Sequence, residues 1–165
     1  MRLQTAKSLD SGFTLLECLL AILLVGIAVA ALVAANGSLT RVNAAAAELS
    51  TAEFLLEQIR ELTDLLPAVD PEGGTALFGP EEGSLANYDD VDDFEDVVFN
   101  PPITSDRQPL NDFSAYTQEI TVVNVSESNF ENVVSDNSTA FLRVTVLVKM
   151  NGREISSAKW VRARY

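Results

Sequence analysis

From Cys18 to Ala35 the chain carries no charged and no strongly polar side chain. Counted from Phe13, the apolar run meets the roughly 20 residues that a membrane-spanning helix needs, and Gly26 is the only weak helix former in its middle. A secretory signal cut near Ala30 to Ala35 is the alternative, but its apolar core would be only about 7–15 residues long. This run is longer and continues into helix-forming sequence. Asn36-Gly37-Ser38 is a soft spot, where Gly37 costs up to about 1 kcal/mol relative to alanine. The pattern then resumes with Val42, Ala45, Ala46, Leu49, Ala52, Leu55, Leu56, Ile59, Leu62, Leu65 and Leu66. Those steps of three and four describe one apolar stripe on an amphipathic helix, with Glu48, Glu53, Glu57, Arg60, Glu61 and Asp64 on the other side. Pro67 ends it. The pattern predicts one helix from about Phe13 to Leu66, on the order of 80 Å at 1.5 Å per residue.

Residues 68–112 read as loop, broken by Pro71, Gly73, Gly74, Gly79, Pro80 and Gly83. Within them, six of the eight residues 89–96 are acids. The expected form is a short turn or helical piece anchored by Tyr88, Val91, Phe94, Val97 and Val98, its acids hydrated. The last third reads as sheet. Residues 115–125 make one strand. Residues 140–150 make another, with Leu142, Val144, Val146 and Val148 on one face. Asn151-Gly152 is a type I′ hairpin turn, and residues 153–165 return. A two-residue turn sets Lys149 opposite Glu154, Val148 opposite Ile155 and Leu142 opposite Val161. The stripe from Leu49 to Leu66 is the natural cover for the sheet's apolar face. The fold class expected is α+β: a long N-terminal helix, its first half membrane-embedded, packed on a C-terminal antiparallel β-sheet.

Composition narrows the function. The formal net charge is −13, with the acids almost wholly after Ala47, which disfavours nucleic acid and anionic membrane surfaces. The chain has no histidine, so the commonest general base and metal ligand are missing. The single cysteine, Cys18, lies in the apolar run and makes no intrachain disulfide. No G-x-S-x-G, P-loop or G-x-G-x-x-G motif occurs. These absences argue against an enzyme. Clustered carboxylates do suit a hard cation, so Asp89, Asp90, Asp92 and Asp93 are candidate calcium ligands. The tract lacks EF-hand spacing, and no other cofactor is expected. N-x-S/T matches at Asn36, Asn124 and Asn137 would matter only in a eukaryotic secretory pathway.

The head of the apolar run holds the sharpest signal. Arg2 and Lys7 precede it, placing the N-terminus in the cytoplasm by the positive-inside rule. Gly12 is followed by Phe13-Thr14-Leu15-Leu16-Glu17, and an acid there is costly in lipid unless it has a partner. This series resembles the prepilin signature of the type IV pilin and type II secretion pseudopilin superfamily, and the acidic tract is similar to that of minor, MSHA-type subunits. The resemblance implies that a prepilin peptidase cuts after Gly12 and methylates the new N-terminal Phe13. Cleavage leaves a cation at Phe13, and N-methylation keeps it charged. One helical turn separates it from Glu17, so a pair within one subunit is geometrically allowed. A pair between neighbouring subunits is more useful, because it would offset the burial of both charges and fix the axial stagger.

The expected division is a leader at 1–12, a transmembrane or filament-core half-helix at 13–35, and an amphipathic half-helix at 36–66. An acidic loop-rich region follows at 67–114, then the β-sheet at 115–165. The function this implies is a structural subunit, a minor pilin of a type IV pilus-like filament. Two alternatives stand beside it: a type II secretion pseudopilin, and a membrane-anchored calcium-binding or adhesin module. Major pilins often carry a disulfide-bounded loop, which this chain lacks. The partners implied are the prepilin peptidase, other pilin or pseudopilin subunits, the inner-membrane assembly platform with its ATPase, and membrane lipid before assembly. Nucleic acid is not among them. The expected location is the bacterial inner membrane, single-pass, with the C-terminal domain extracytoplasmic, and then the pilus or periplasmic pseudopilus.

Overall fold

The computed structural model of the chain describes residues 12–68, 78–80 and 82–164. The expected leader, apart from Gly12, lies outside them. One helix, α1, spans Leu15–Asp64. It ends two residues before the expected Leu66, because a proline disfavours helical geometry in the residue ahead of it; the Leu66 N–H instead bonds to the Thr63 carbonyl at 3.3 Å. Gly37 lies within α1 and has open space around it.

Internal contacts divide the chain into two compact units, with the boundary between Ala45 and Ala46. The described part of the first unit is the helical stretch through Ala45 and the residues leading into it. Its apolar side chains face outward, as Phe13 at 88% exposure and Ile22 at 70% illustrate.

The second unit is helix on sheet. Ala52, Leu55, Leu56, Ile59 and Leu62 are buried, matching the inner part of the expected stripe, whereas Leu49 and Leu65 remain exposed. Full burial of side chains such as Leu55 and Ile59 contributes about 1.5–3 kcal/mol each. The sheet comprises β1 (Val97–Phe99), β2 (Tyr116–Ser126), β3 (Asn129–Val133), β4 (Phe141–Met150) and β5 (Arg153–Ala163). Its main order is β1-β2-β4-β5, each neighbour antiparallel, and β3 pairs with the end of β2. Leu142, Val144, Val146 and Val148 turn inward, fully buried, as the alternation demands. Asn151 and Gly152 both have positive φ, 50° and 79°, the signature of a type I′ turn.

Two expectations are corrected. Lys149 does face Glu154, but a bulge beside Val148 pairs Val148 with Ser156 and Leu142 with Arg162, in place of Ile155 and Val161. The extra residue keeps Trp160 on the covered side beneath the Arg60 guanidinium, 5.8 Å from the ring centroid. The second correction concerns residues 67–114, which are not all loop. They contribute β1 and single turns of 3₁₀ helix at Leu85–Asn87, Asp92–Phe94 and Asn111–Phe113.

A buried amide ties these layers together. Gln118, fully buried on β2, accepts the Ile103 N–H at 2.8 Å and donates to the Leu55 carbonyl at 2.8 Å and the Ile103 carbonyl at 3.2 Å. One side chain thereby joins α1, a loop and the sheet. Arg162 clamps the helix end from β5, reaching Asp64 Oδ1 at 3.0 Å and the Leu66 carbonyl at 2.8 Å.

Candidate functional site

Gly12, Phe13 and Thr14 precede the first residue of α1 in irregular, exposed backbone. Thr14 is the helix N-cap. Its backbone N–H donates to Glu17 Oε2 at 2.8 Å and its hydroxyl to the same oxygen at 2.9 Å, while the Glu17 N–H donates to Thr14 Oγ1 at 3.3 Å. That reciprocal pattern is a capping box, in which side chains satisfy helix-start donors that have no carbonyl of their own. A carboxylate here also meets the positive end of the helix dipole. The T-x-x-E spacing of Thr14 and Glu17 is the sequence signature of this box, and it gives Glu17 a role in the helix start that its place at the edge of lipid does not reveal. The bond between Gly12 and Phe13 thus sits just outside the helix, and Glu17 sits in the first turn beyond it. Behind this turn the helix contains a segment with mean hydropathy 3.0 and no buried residues, long and apolar enough by composition to cross a membrane.

Residues 7–33 match the family model for the prokaryotic N-terminal methylation motif. That motif is the signature of type IV pilins and pseudopilins. The motif implies processing by a prepilin peptidase and assembly with other pilin subunits. The apolar helix fits the membrane anchoring that the motif implies. No curated protein and no solved structure matches the chain.

The acidic tract forms a second candidate site, and here the structure departs from expectation. The acids are not simply hydrated: Asp90, Asp92 and Asp93 are 1%, 4% and 1% exposed. The 3₁₀ turn Asp92–Phe94 swings Phe94 and Val91 into the core, and its acids follow them inward. Tyr88 packs edge-on to Phe94 at 5.1 Å. Arg107, at φ 63°, donates to the carbonyls of Leu85, Ala86 and Tyr88, so its charge pins the loop through backbone oxygens. Gly79, at φ 102°, lies so close to Glu95 that an added Cβ would meet its Oε2 at 2.8 Å.

Of the four acids expected to converge, the structure brings together Asp89 and Asp93 and adds Glu82; one carboxylate oxygen from each lies within 4.8 Å of the others. Asp93 Oδ2 accepts the N–H groups of Asp89 at 2.8 Å and Asp90 at 3.2 Å. Burial raises the Asp93 carboxyl above the usual range, a rise opposed by a hydrogen bond with the Glu82 side chain and by those two amides. Asp90 pairs instead with Asp92. Burial first, then the hydrogen bond and charge of Asp92, push Asp90 up to about 7. In the folded chain Asp90 therefore holds its proton to a higher pH than an ordinary aspartate does. Glu82 carried no spacing signal, because its approach depends on the loop closed by Arg107.

Proposed function

We propose that this chain is a minor subunit of a type IV pilus-like filament. A prepilin peptidase cuts after Gly12, Phe13 is N-methylated, and the chain resides in the bacterial inner membrane as a single-pass protein with its C-terminal domain outside the cytoplasm. An assembly platform and its ATPase then transfer it from lipid to the filament. The observation that carries this reading is Glu17 at the mouth of an exposed apolar helix, one turn beyond the Gly12–Phe13 bond, within the matched motif. In the precursor the Phe13 nitrogen is a neutral amide and the capping box holds the carboxylate alone. Cleavage creates a cation in lipid, and the Glu17 of a neighbouring copy is its complement at low effective dielectric. A pseudopilin of a type II secretion system would use the same residues.

Mass spectrometry of the protein from cells with an active peptidase tests the reading. The expected product starts at Phe13 and carries one added methyl group; a chain retaining Gly12 would sink it. Gly12→Leu should abolish processing, because a site shaped for glycine excludes a branched side chain.

The second reading, a membrane-anchored calcium-binding or adhesin module, is favoured by the convergence of Glu82, Asp89 and Asp93. Two oxygens each 2.3–2.6 Å from one calcium ion lie no more than about 5 Å apart, and the three carboxylates meet that limit. Asp90 and Asp92 would stay outside the coordination. A thermal shift of the full chain in detergent at millimolar calcium supports this reading, and its absence removes it.

A further inference from the structure

The Gly12–Phe13 bond lies where α1 is made to stop, and the side chains of Thr14 and Glu17 impose the stop. The Cys18 N–H bonds to the Thr14 carbonyl at 3.2 Å. To lengthen the helix by one residue, the Glu17 N–H would have to reach the Phe13 carbonyl, one turn back. Thr14 Oγ1 holds that N–H at 3.3 Å instead. The Thr14 N–H, which a longer helix would turn back along its axis, donates to Glu17 Oε2 at 2.8 Å. Among the described residues the carbonyls of Gly12 and Phe13 therefore accept no backbone N–H.

Packing does not enforce this stop: among the described residues, Phe13 is exposed and a Cβ added at Gly12 would meet nothing. Helix propagation gains one hydrogen bond for each residue fixed. The edge of lipid favours it further, because backbone groups there have little water to bond. Gly12 resists as a poor helix former, yet Ser11 is a residue type suited to cap a helix that begins at Gly12. In such a helix the Leu16 N–H would occupy the Gly12 carbonyl, the group that cleavage must attack. The backbone at the bond would be hydrogen-bonded inward and closed to a protease, which holds an extended segment through free N–H and C=O groups.

We propose that Thr14 is a positioning residue for removal of the leader: through the capping box it stops α1 short of Phe13 and keeps the Gly12–Phe13 bond in open, irregular backbone. The inference rests on processing after Gly12 and adds the residue that makes that bond available. Thr14 acts before the chemistry, on the fraction of chains whose bond is open. A substrate whose competent form is only partly populated binds more weakly in proportion to that fraction. Loss of the cap therefore raises KM and leaves kcat unchanged.

The test follows cleavage of the full chain in detergent by membranes that carry the peptidase and cut another prepilin, with initial rates measured over a range of chain concentrations. Thr14→Val keeps the shape and removes the hydroxyl. It should raise KM about fivefold, the usual effect of deleting an N-cap oxygen, with kcat unchanged. Thr14→Ser and Thr14→Asn, which cap as well as threonine or better, should keep KM at the wild-type value. A peptidase that reads residue 14 by its shape gives the reverse order, accepting valine and rejecting asparagine, and that order overturns the proposal. A wild-type KM for Thr14→Val, or a loss confined to kcat, overturns it as well. In each of these cases the wild-type chain is still cut after Gly12 and the processing reading stands; a wild-type chain left uncut by the same membranes overturns both.

Discussion

Glu17 can serve two purposes, and single substitutions separate them. As the fourth member of a capping box it needs only an oxygen that accepts from Thr14; as a docking charge it must be ionised. Glu17→Gln keeps the first and loses the second, and Glu17→Val loses both. If charge pairing drives assembly, both variants insert in the membrane and both fail to enter filaments made with wild-type subunits. Recovery of the Gln variant in sheared filaments at wild-type level would reduce Glu17 to a helix cap. Asp90 offers a residue-scale test of a different kind. Its carboxyl is raised to about 7 in the folded chain, against an ordinary value near 4. The folded state therefore holds its proton more tightly than the unfolded state does. The stabilisation is fully present below about pH 4 and is lost as pH rises through about 7. Burial raises Asp93 and Glu95 in the same direction. In chelator, the unfolding temperature of the detergent-solubilised chain should fall between pH 5 and pH 8, and Asp90→Asn should shrink that fall. A flat wild-type profile would contradict the burial of this acid.

At the level of elements, what was legible followed periodicity. The α1 stripe repeats every three to four residues, and the β4 alternation with Asn151-Gly152 specifies a hairpin, so both are legible in the sequence. β1 and β3 were not legible, because three and five residues leave too few alternations and their pairing depends on distant partners. The bulge beside Val148 was equally silent, since no residue type there demands it. The burial of Asp90, Asp92 and Asp93 runs against the solvation cost of carboxylates, and only the non-local pull of Val91 and Phe94 toward the core explains it. Gly12, Phe13 and Glu17 were legible because their chemistry is local and contiguous; Glu82 was not, because a loop delivers it. Gln118 is the element-scale counterpart, a polar residue on an otherwise apolar inner face that joins three layers. Gln118→Leu keeps the volume but strands the Ile103 N–H in the core. It should cost about 1–3 kcal/mol, the penalty of a buried unsatisfied donor. Chemical denaturation of the full chain in micelles would measure the loss, and an unchanged midpoint would show that the Ile103 loop can find another acceptor.

For the whole molecule, charge sets the competition that assembly must settle. The net charge is −13, and Arg2, Lys7 and Asp10 contribute +1 of it before Phe13; the side chains after the cut therefore sum to −14. Like-charged globular units repel over roughly the Debye length, about 10 Å at 0.1 M salt and 30 Å at 0.01 M. Exposed ion pairs formed with a neighbouring unit contribute only about 0.2–1 kcal/mol each and act at short range, where added ions intervene least. Lowering the salt therefore extends the repulsion across whole neighbouring units while changing the contacts little. Fibres containing this chain should shed it faster at about 0.01 M than at about 0.1 M salt, as sedimentation followed by immunoblotting would register. Faster loss at the higher salt would mean that opposite charges brought together at the interface outweigh the net repulsion, and that the acidic surface is matched by a partner more basic than a second copy of this chain.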